Sequence, residues 1–232
     1  MISTNRTVII MAKAPRTGSV KTRLAESLPP HAVTSLYVCL LKDTIALVQA
    51  LDNVDIAIMC PTTDIEDLSR EVPKTIRIVP QMGQGLAAAL ACVFAQFAAP
   101  GRRFIAFNSD SPHLPASILD AAFNSLEPCD LVVGPTHDGG YYLVGAKANH
   151  PALFQGDGMG TASAREALMA RAYALKLSVG FTETFYDIDV SSDLIRLAAE
   201  LGVSPTRAPR TAEWLNEWAP AVAQLRAAAG NP

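Results

Sequence analysis

Apolar residues change their spacing repeatedly along the chain, and each change marks an element. Thr7 to Met11 is an unbroken apolar or β-favouring run, the pattern of a strand buried on both faces of a parallel sheet. Val33, Leu36, Tyr37, Leu40, Leu41, Thr44, Leu47 and Val48 then recur at three- and four-residue intervals, which predicts one face of a long helix starting near Pro30. Val54 to Met59 alternates as a second strand, and Asp64 is expected to cap a short helix before a third strand at Ile76 to Val79. An alanine-rich helix to about Ala98 follows Gln81-Met82-Gly83-Gln84-Gly85. Strands come next at Phe104 to Phe107, Leu131 to Val133 and Tyr141 to Gly145, the last two joined by a turn over Thr136 to Gly140. A helix from about Thr161 to Tyr173 and a strand region ending at Tyr186-Asp187-Ile188-Asp189 precede another helix, capped by Ser191 or Ser192. This alternation predicts an α/β fold with a mostly parallel sheet. Residues 1–204 read as one domain. Residues 205–232 read as a helical extension with Trp214, Leu215, Trp218, Val222 and Leu225 on one side, packing on that domain or, alternatively, forming a homodimer contact.

Composition narrows the function classes. With 232 residues, 50% hydrophobic and 18% charged, the chain can bury a full core and is not a disordered segment. A formal charge of −3 argues against a general nucleic-acid binder, so any basic cluster is a local feature suited to a small anion. Cys39, Cys60, Cys92 and Cys129 form no CxxC pair and lie in apolar contexts, which predicts buried thiols, no zinc and no disulfides. No continuous apolar run reaches membrane-spanning length, and Val8 onward is followed by Lys13 and Arg16 rather than a cleavage site. The expectation is a cytoplasmic protein without a membrane partner.

The basic cluster is immediate. Lys13, Arg16, Lys21 and Arg23 follow the first strand with no acid before Glu26, and Pro15 and Gly18 prevent a helix between them. A cationic loop at the carboxyl end of a strand is where open α/β sheets bind ligands, and four cations suit several phosphates. A solvated surface loop is the plain alternative. A P-loop fits poorly, because Val20 rather than glycine precedes Lys21 and the next helix waits until after Pro29-Pro30. Asp110, between an apolar strand and the proline-punctuated Ser111-Pro112-His113-Leu114-Pro115, should project from the same sheet edge, although it could merely cap the helix near Ala116. Asp187 and Asp189 also follow a strand, and two carboxylates converging from different strands could hold Mg²⁺. His113 reads as structural.

The segments MAKAPRTGSVKTRL, SDSPHLP, GPTHDGGYYLVG and DIDVSSDL, in that order, resemble the DUF2064 family, often labelled selenodomain-associated transferase 1 or arsenosugar biosynthesis glycosyltransferase. The resemblance runs from about residue 7 to residue 200. It implies a GT-A, Rossmann-like three-layer sandwich with a mostly parallel mixed central sheet, as in nucleotide-diphospho-sugar transferases. It also implies an Mg²⁺ (or Mn²⁺) site on Asp110 and Asp189, with Asp187 as the substitute, and a nucleotide substrate. Where many members carry GDLGERM and WGT, this chain has Gln81-Met82-Gly83-Gln84-Gly85-Leu86 and Met159-Gly160-Thr161. Both segments are more similar to the 2-phospho-lactate guanylyltransferases of cofactor F420 biosynthesis.

Attack on the α-phosphorus of an NTP builds charge on the α-phosphate and on departing pyrophosphate, which favours electrostatic clamps over a protein nucleophile. Lys21 is expected on the α-phosphate and nucleophile, and Arg16 and Arg23 on the β- and γ-phosphates, with Lys13, Gly18 and Ser109 completing the nucleotide site. Gln81 and the helix start at Gly85 would face the base. Asp138, Gly139, Gly140 and Tyr141, together with Thr161 and Ser163 at a helix start, would face a small-molecule acceptor. The expected activity is Mg²⁺-dependent nucleotidyl transfer from an NTP, with an NDP-sugar glycosyltransferase as the alternative and a catalytically silent nucleotide-binding module as the second.

Overall fold

The computed structural model describes residues 4–155 and 163–230. Its first half alternates β1 (Arg6–Met11), α1 (Pro30–Gln49), β2 (Val54–Pro61), α2 (Ile65–Leu68), β3 (Arg77–Gln81), α3 (Gly85–Phe97) and β4 (Arg103–Asn108). α4 (Ala116–Ser125), β5 (Leu131–Pro135), β6 (Tyr141–Ala146), α5 (Ala164–Ala174), β7 (Val179–Phe181), α6 (Ser191–Val203), α7 (Pro209–Glu217) and α8 (Ala219–Ala229) follow. The strands form one seven-stranded sheet in the order β3-β2-β1-β4-β6-β5-β7. β6 runs antiparallel to both β4 and β5, and the remaining pairs are parallel.

The pleat divides the core into two layers. Val8, Ile10 and Ile58 face α1 and α4 together with Phe107, Phe123 and Leu41. Ile9, Ala57 and Met59 face the other side, with Val93, Phe94, Phe104 and Leu168. The result is the three-layer sandwich implied by the resemblance. The chain runs outward from β1 to β2 and β3, then returns to β4 beside β1, so the strand order reverses between β1 and β4. At such a reversal the loops leaving the two strands diverge to opposite sides and leave a crevice at their carboxyl ends.

By length and composition α1 is long and apolar enough to cross a bilayer, an exception to the expectation from apolar runs, yet 56% of that window is buried within the fold. One side packs on the sheet. The other meets α6, α7 and α8 through Leu36, Leu40, Leu197, Leu201, Trp214 and Val222. Two helices replace the single one expected near the C-terminus, because Pro220 sits at the start of α8, where it lacks the N–H to continue α7. All four cysteines are free thiols, with Cys60 and Cys92 buried and Cys39 and Cys129 half-buried.

Asp43, buried on α1, receives the α7 amides of Arg210 at 3.3 Å and Thr211 at 2.8 Å, and the Thr211 hydroxyl at 2.9 Å. Asp43→Ala should destabilise the protein by roughly 2–4 kcal/mol, since it strands these donors without water. Denaturant unfolding checks the size, and faster proteolysis within residues 205–230 checks the place.

His113 is fully buried against Phe185 and Tyr186, with ring centroids 4.8 and 4.5 Å away, and neither ring nitrogen has a hydrogen-bond partner. Burial, aided by the charges of Arg207 and Arg196, pushes its pKa down to about 3. A folded pKa below the unfolded one means that the unfolded chain takes up a proton first as pH falls. Stability from neutral His113 is therefore whole above about pH 6.5 and is lost on the way down towards pH 3. His113→Phe should shrink the stability difference between pH 7 and pH 4 by up to roughly 3 kcal/mol, measured by urea unfolding at the two pH values.

Candidate active site

The loop after β1 is anchored before it reaches the crevice. The Ala12 N–H donates to the Met59 carbonyl at 3.0 Å, the Lys13 N–H to the Tyr37 hydroxyl at 2.9 Å, and the Ala14 N–H to Asp64 at 2.8 Å. Arg16 completes this anchor. Its guanidinium donates to Asp64 at 2.6 Å, Asp67 at 2.8 Å and the Thr63 carbonyl at 2.7 Å. Burial opposes the Asp64 charge, but the Ala14 amide and Arg16 outweigh it and hold that carboxyl below its ordinary pKa. The expectation that Arg16 grips β- or γ-phosphate is thus corrected: its donors are spent on α2 and the turn before it, and it does not line the crevice.

Beyond Arg16 the loop turns back. Gly18 adopts φ +79°, a left-handed conformation that costs glycine nothing, and it shapes the turn without lining the crevice. Lys21 also takes positive φ, +48°, although it bears a side chain, a strain that recurs at functional sites. Its side chain is only 4% exposed, and Nζ lies 2.6 Å from Asp110 Oδ2 and 3.1 Å from Asp189 Oδ1. Burial works against the ammonium, but Asp110, Asp189 and Asp187 together raise its pKa above the ordinary value. Arg23 stays more open and places NH1 3.5 Å from Asp189 Oδ2.

Asp110 leaves the end of β4 as expected. Asp187 and Asp189 differ from expectation: they lie in an extended segment between β7 and α6 rather than at a strand end. That segment is tied to Asp110 by the Ile188 N–H donating to the Asp110 carbonyl at 3.2 Å. Asp193, rather than Ser191 or Ser192, receives the free N–H groups of Asp189 and Val190 at 3.0 and 2.8 Å. Asp189 lines the crevice and Asp187 does not. Burial, with the neighbouring charges of Asp110 and Asp189 and against the pull of Lys21, lifts the Asp187 carboxyl to about 6.

Behind Asp110 stands a residue the sequence reading left in the helix core. Tyr37 on α1 shares a 3.3 Å hydrogen bond with Ser109 Oγ, which donates to Asp110 Oδ1 at 3.0 Å. Burial and the charge of Asp110 push the Tyr37 phenol up to about 12, so it stays a neutral partner in this chain. The available signal was a phenol on an apolar helix face, whose hydroxyl must find a bond when buried. Ser109 supports Asp110 from below, with Thr44 donating to its carbonyl at 3.2 Å.

Lys13, Lys21, Arg23, Gln81, Gly85, Ser109, Asp110 and Asp189 all line one cleft of about 760 Å³. Such a volume suits a nucleotide-sized ligand. Gln81, at the end of β3, donates Nε2 to the carbonyls of Gly83 at 3.1 Å and Gly85 at 3.3 Å, which fixes its amide. Gly83 has φ +79°, and a Cβ there would lie 2.9 Å from Ala88, so the backbone comes close to α3 only with glycine.

The residues expected on the acceptor side do not reach this cleft. Asp138 Oδ1 is used inside its own turn, accepting the Thr136 hydroxyl and the Gly140 N–H. The Thr136 bond is the main cause of the lowered pKa of Asp138, and the charge of Arg23 adds to it. Gly139 has φ +91°, and its carbonyl accepts the Arg165 N–H at 3.1 Å. Tyr141 is a correction: its phenol is buried in the core with α3 and α5, without a hydrogen bond, and burial raises its pKa. Ser163 precedes α5, and Thr161 lies outside the described residues.

A crevice at a sheet reversal, walled by a cationic loop on one side and by carboxylates on the other, defines the class of GT-A-like nucleotide transferases. Residues 44–161, just over half of the chain, match the family described as "Uncharacterized protein conserved in bacteria (DUF2064)", and the chain belongs to that family. It is similar in structure to a candidate nucleotide-diphospho-sugar transferase from Desulfovibrio desulfuricans G20, at 25% identity and TM-score 0.88, covering 96% of this chain and 98% of that one. Two further likenesses concern the fold alone. A CMP:2-keto-3-deoxy-manno-octonic acid synthetase complexed with CTP is 10% identical, with TM-score 0.55 over 86% of this chain and 99% of that one. The Mycobacterium tuberculosis H37Rv protein Rv0371C, in complex with manganese, is 16% identical, with TM-score 0.50 over 84% and 98%. No curated protein matches the sequence.

Proposed function

We propose that the protein is a divalent-metal-dependent nucleotidyltransferase, moving an NMP from an NTP onto a small phosphorylated or hydroxylated acceptor with release of pyrophosphate. The observation that carries this is the meeting of Lys13, Lys21 and Arg23 with Asp110 and Asp189 in one nucleotide-sized cleft. The carboxylate pair fits a hard cation on this chain's own geometry, because Asp110 Oδ2 and Asp189 Oδ1 already converge on one positive atom, Lys21 Nζ. Two carboxylates, with room left for water and phosphate oxygens, are what Mg²⁺ takes, and no group of three or more metal-binding side chains is needed or found among the described residues. A cation held by Asp110 and Asp189 would neutralise and orient the α-phosphate.

The remaining work belongs to side chains. Lys21 holds the α-phosphate and the charge that grows there, and Lys13 and Arg23 take the β- and γ-phosphates in place of Arg16. Arg16 positions the loop through Asp64 and Asp67. Tyr37 and Ser109 hold Asp110 in one orientation. Gln81 and the first amides of α3 face the base. The acceptor would approach from the side of Arg23, which faces both Asp189 and the turn of Asp138.

Pyrophosphate release, assayed with Mg²⁺ across four NTPs and a panel of small phosphorylated acids, tests the reading. A second reading, glycosyl transfer from an NDP-sugar, is favoured by the likeness to the Desulfovibrio desulfuricans protein. NDP release from an NDP-sugar, with no pyrophosphate from any NTP, would put that reading first.

A further inference from the structure

We propose that Lys21 is an exchangeable occupant of the metal seat: its ammonium holds Asp110 and Asp189 together until a metal–nucleotide complex enters, and it then swings onto the phosphate. This deepens the reading above and rests on it for the place of the cation. The starting observation is one of exclusion. Lys21 Nζ sits within hydrogen-bond distance of both carboxylates that would bind the metal, at 2.6 and 3.1 Å. A divalent ion bonding those oxygens at about 2.1 Å leaves no space for an ammonium on the same lone pairs, and two positive charges that close repel strongly. Either occupant can be seated, but not both.

The surroundings show how the exchange runs. The backbone of Lys21 is pinned, because its carbonyl accepts the N–H groups of Leu24 at 3.0 Å and Ala25 at 3.2 Å, so the loop need not move. Its side chain is enclosed on the carboxylate side and borders the cleft on the other. Rotation about the side-chain bonds therefore carries Nζ from carboxylate to phosphate. Three carboxyl groups, those of Asp110, Asp189 and Asp187, act electrostatically on this one ammonium, so its departure leaves like charges facing each other unless another cation replaces it. A free metal ion must displace Lys21 with nothing to receive it. A metal–nucleotide complex supplies both the replacement cation and the new anion.

The consequence is ordered loading. Metal alone binds poorly, and Lys21 reaches the phosphate only when metal is in place, so charge is not spent on a nucleotide that lacks its metal.

Mn²⁺ binding to the full chain, followed by electron paramagnetic resonance without nucleotide, tests this directly. Lys21→Met should bind Mn²⁺ at least about tenfold tighter than wild type, because a competing charge at contact distance is gone. Adding Asp110→Asn should remove the gain. Equal affinity in wild type and Lys21→Met would overturn the exchange while leaving the metal site itself standing, provided that Asp110→Asn alone weakens binding. Absence of Mn²⁺ binding in every form, with or without nucleotide, would overturn both. Should Lys21→Met fail to fold, the wild type decides. Acylation of Lys21 by an amine-reactive ester, read by mass spectrometry, should rise when Mn²⁺ alone saturates the site, and unchanged labelling at saturation would sink the proposal.

Discussion

Lys21→Ala is expected to lower turnover by at least about a hundredfold with little change in the nucleotide concentration needed for half-maximal rate, the size seen when one donor to transition-state charge is lost. The reason lies in what the residue faces. Its ammonium is buried against Asp110 and Asp189 in the free protein, so it contributes little to a resting nucleotide and most to the charge that appears as the α-phosphate reacts. Arg23→Ala separates the two chemistries. With an NTP it should cost a comparable factor through lost hold on the departing pyrophosphate, whereas an NDP-sugar has no γ-phosphate and should tolerate the change better. Steady-state rates with both donor classes check this. Arg16→Ala offers the contrast, because it loosens the loop through Asp64 and Asp67 and should lower thermal stability along with activity.

Asp110→Asn and Asp189→Asn are each expected to abolish metal-dependent turnover while the fold survives. Asparagine keeps the volume but removes the charge that a hard cation needs. Asp110 should be the more severe of the two, because Ser109 and Tyr37 fix its orientation, whereas Asp189 is more exposed and shares its charge with Arg23. Asp187→Asn is expected to be milder, since Asp187 does not border the cleft. Turnover across a magnesium titration, with circular dichroism on each variant, distinguishes these outcomes. Near wild-type turnover at limiting magnesium would show that the substituted residue is not a ligand.

Periodicity and punctuation alone determined most of the frame. The apolar runs at Thr7 to Met11 and Phe104 to Phe107 became adjacent strands β1 and β4, and the residues that follow them, Lys13 and Asp110, reached the cleft from the edge where they were expected. Local sequence is sufficient there because strand direction and the residue just past a strand end follow from a short stretch of chain. Charge partners do not. Arg16 finds Asp64 and Asp67 across 48 and 51 residues, and Lys21 finds Asp189 across 168, so whether a loop cation serves a ligand or its own protein depends on which loops the fold brings together. Side-chain direction in the β5–β6 hairpin was equally closed to the sequence. Tyr141 and Tyr142 are neighbours of the same kind. Only pairing in the sheet sends one phenol into the core with α3 and α5 and lets the other bond Thr182 and the Glu183 carbonyl, because successive residues of a strand face opposite sides and the sheet's two layers decide what each side meets.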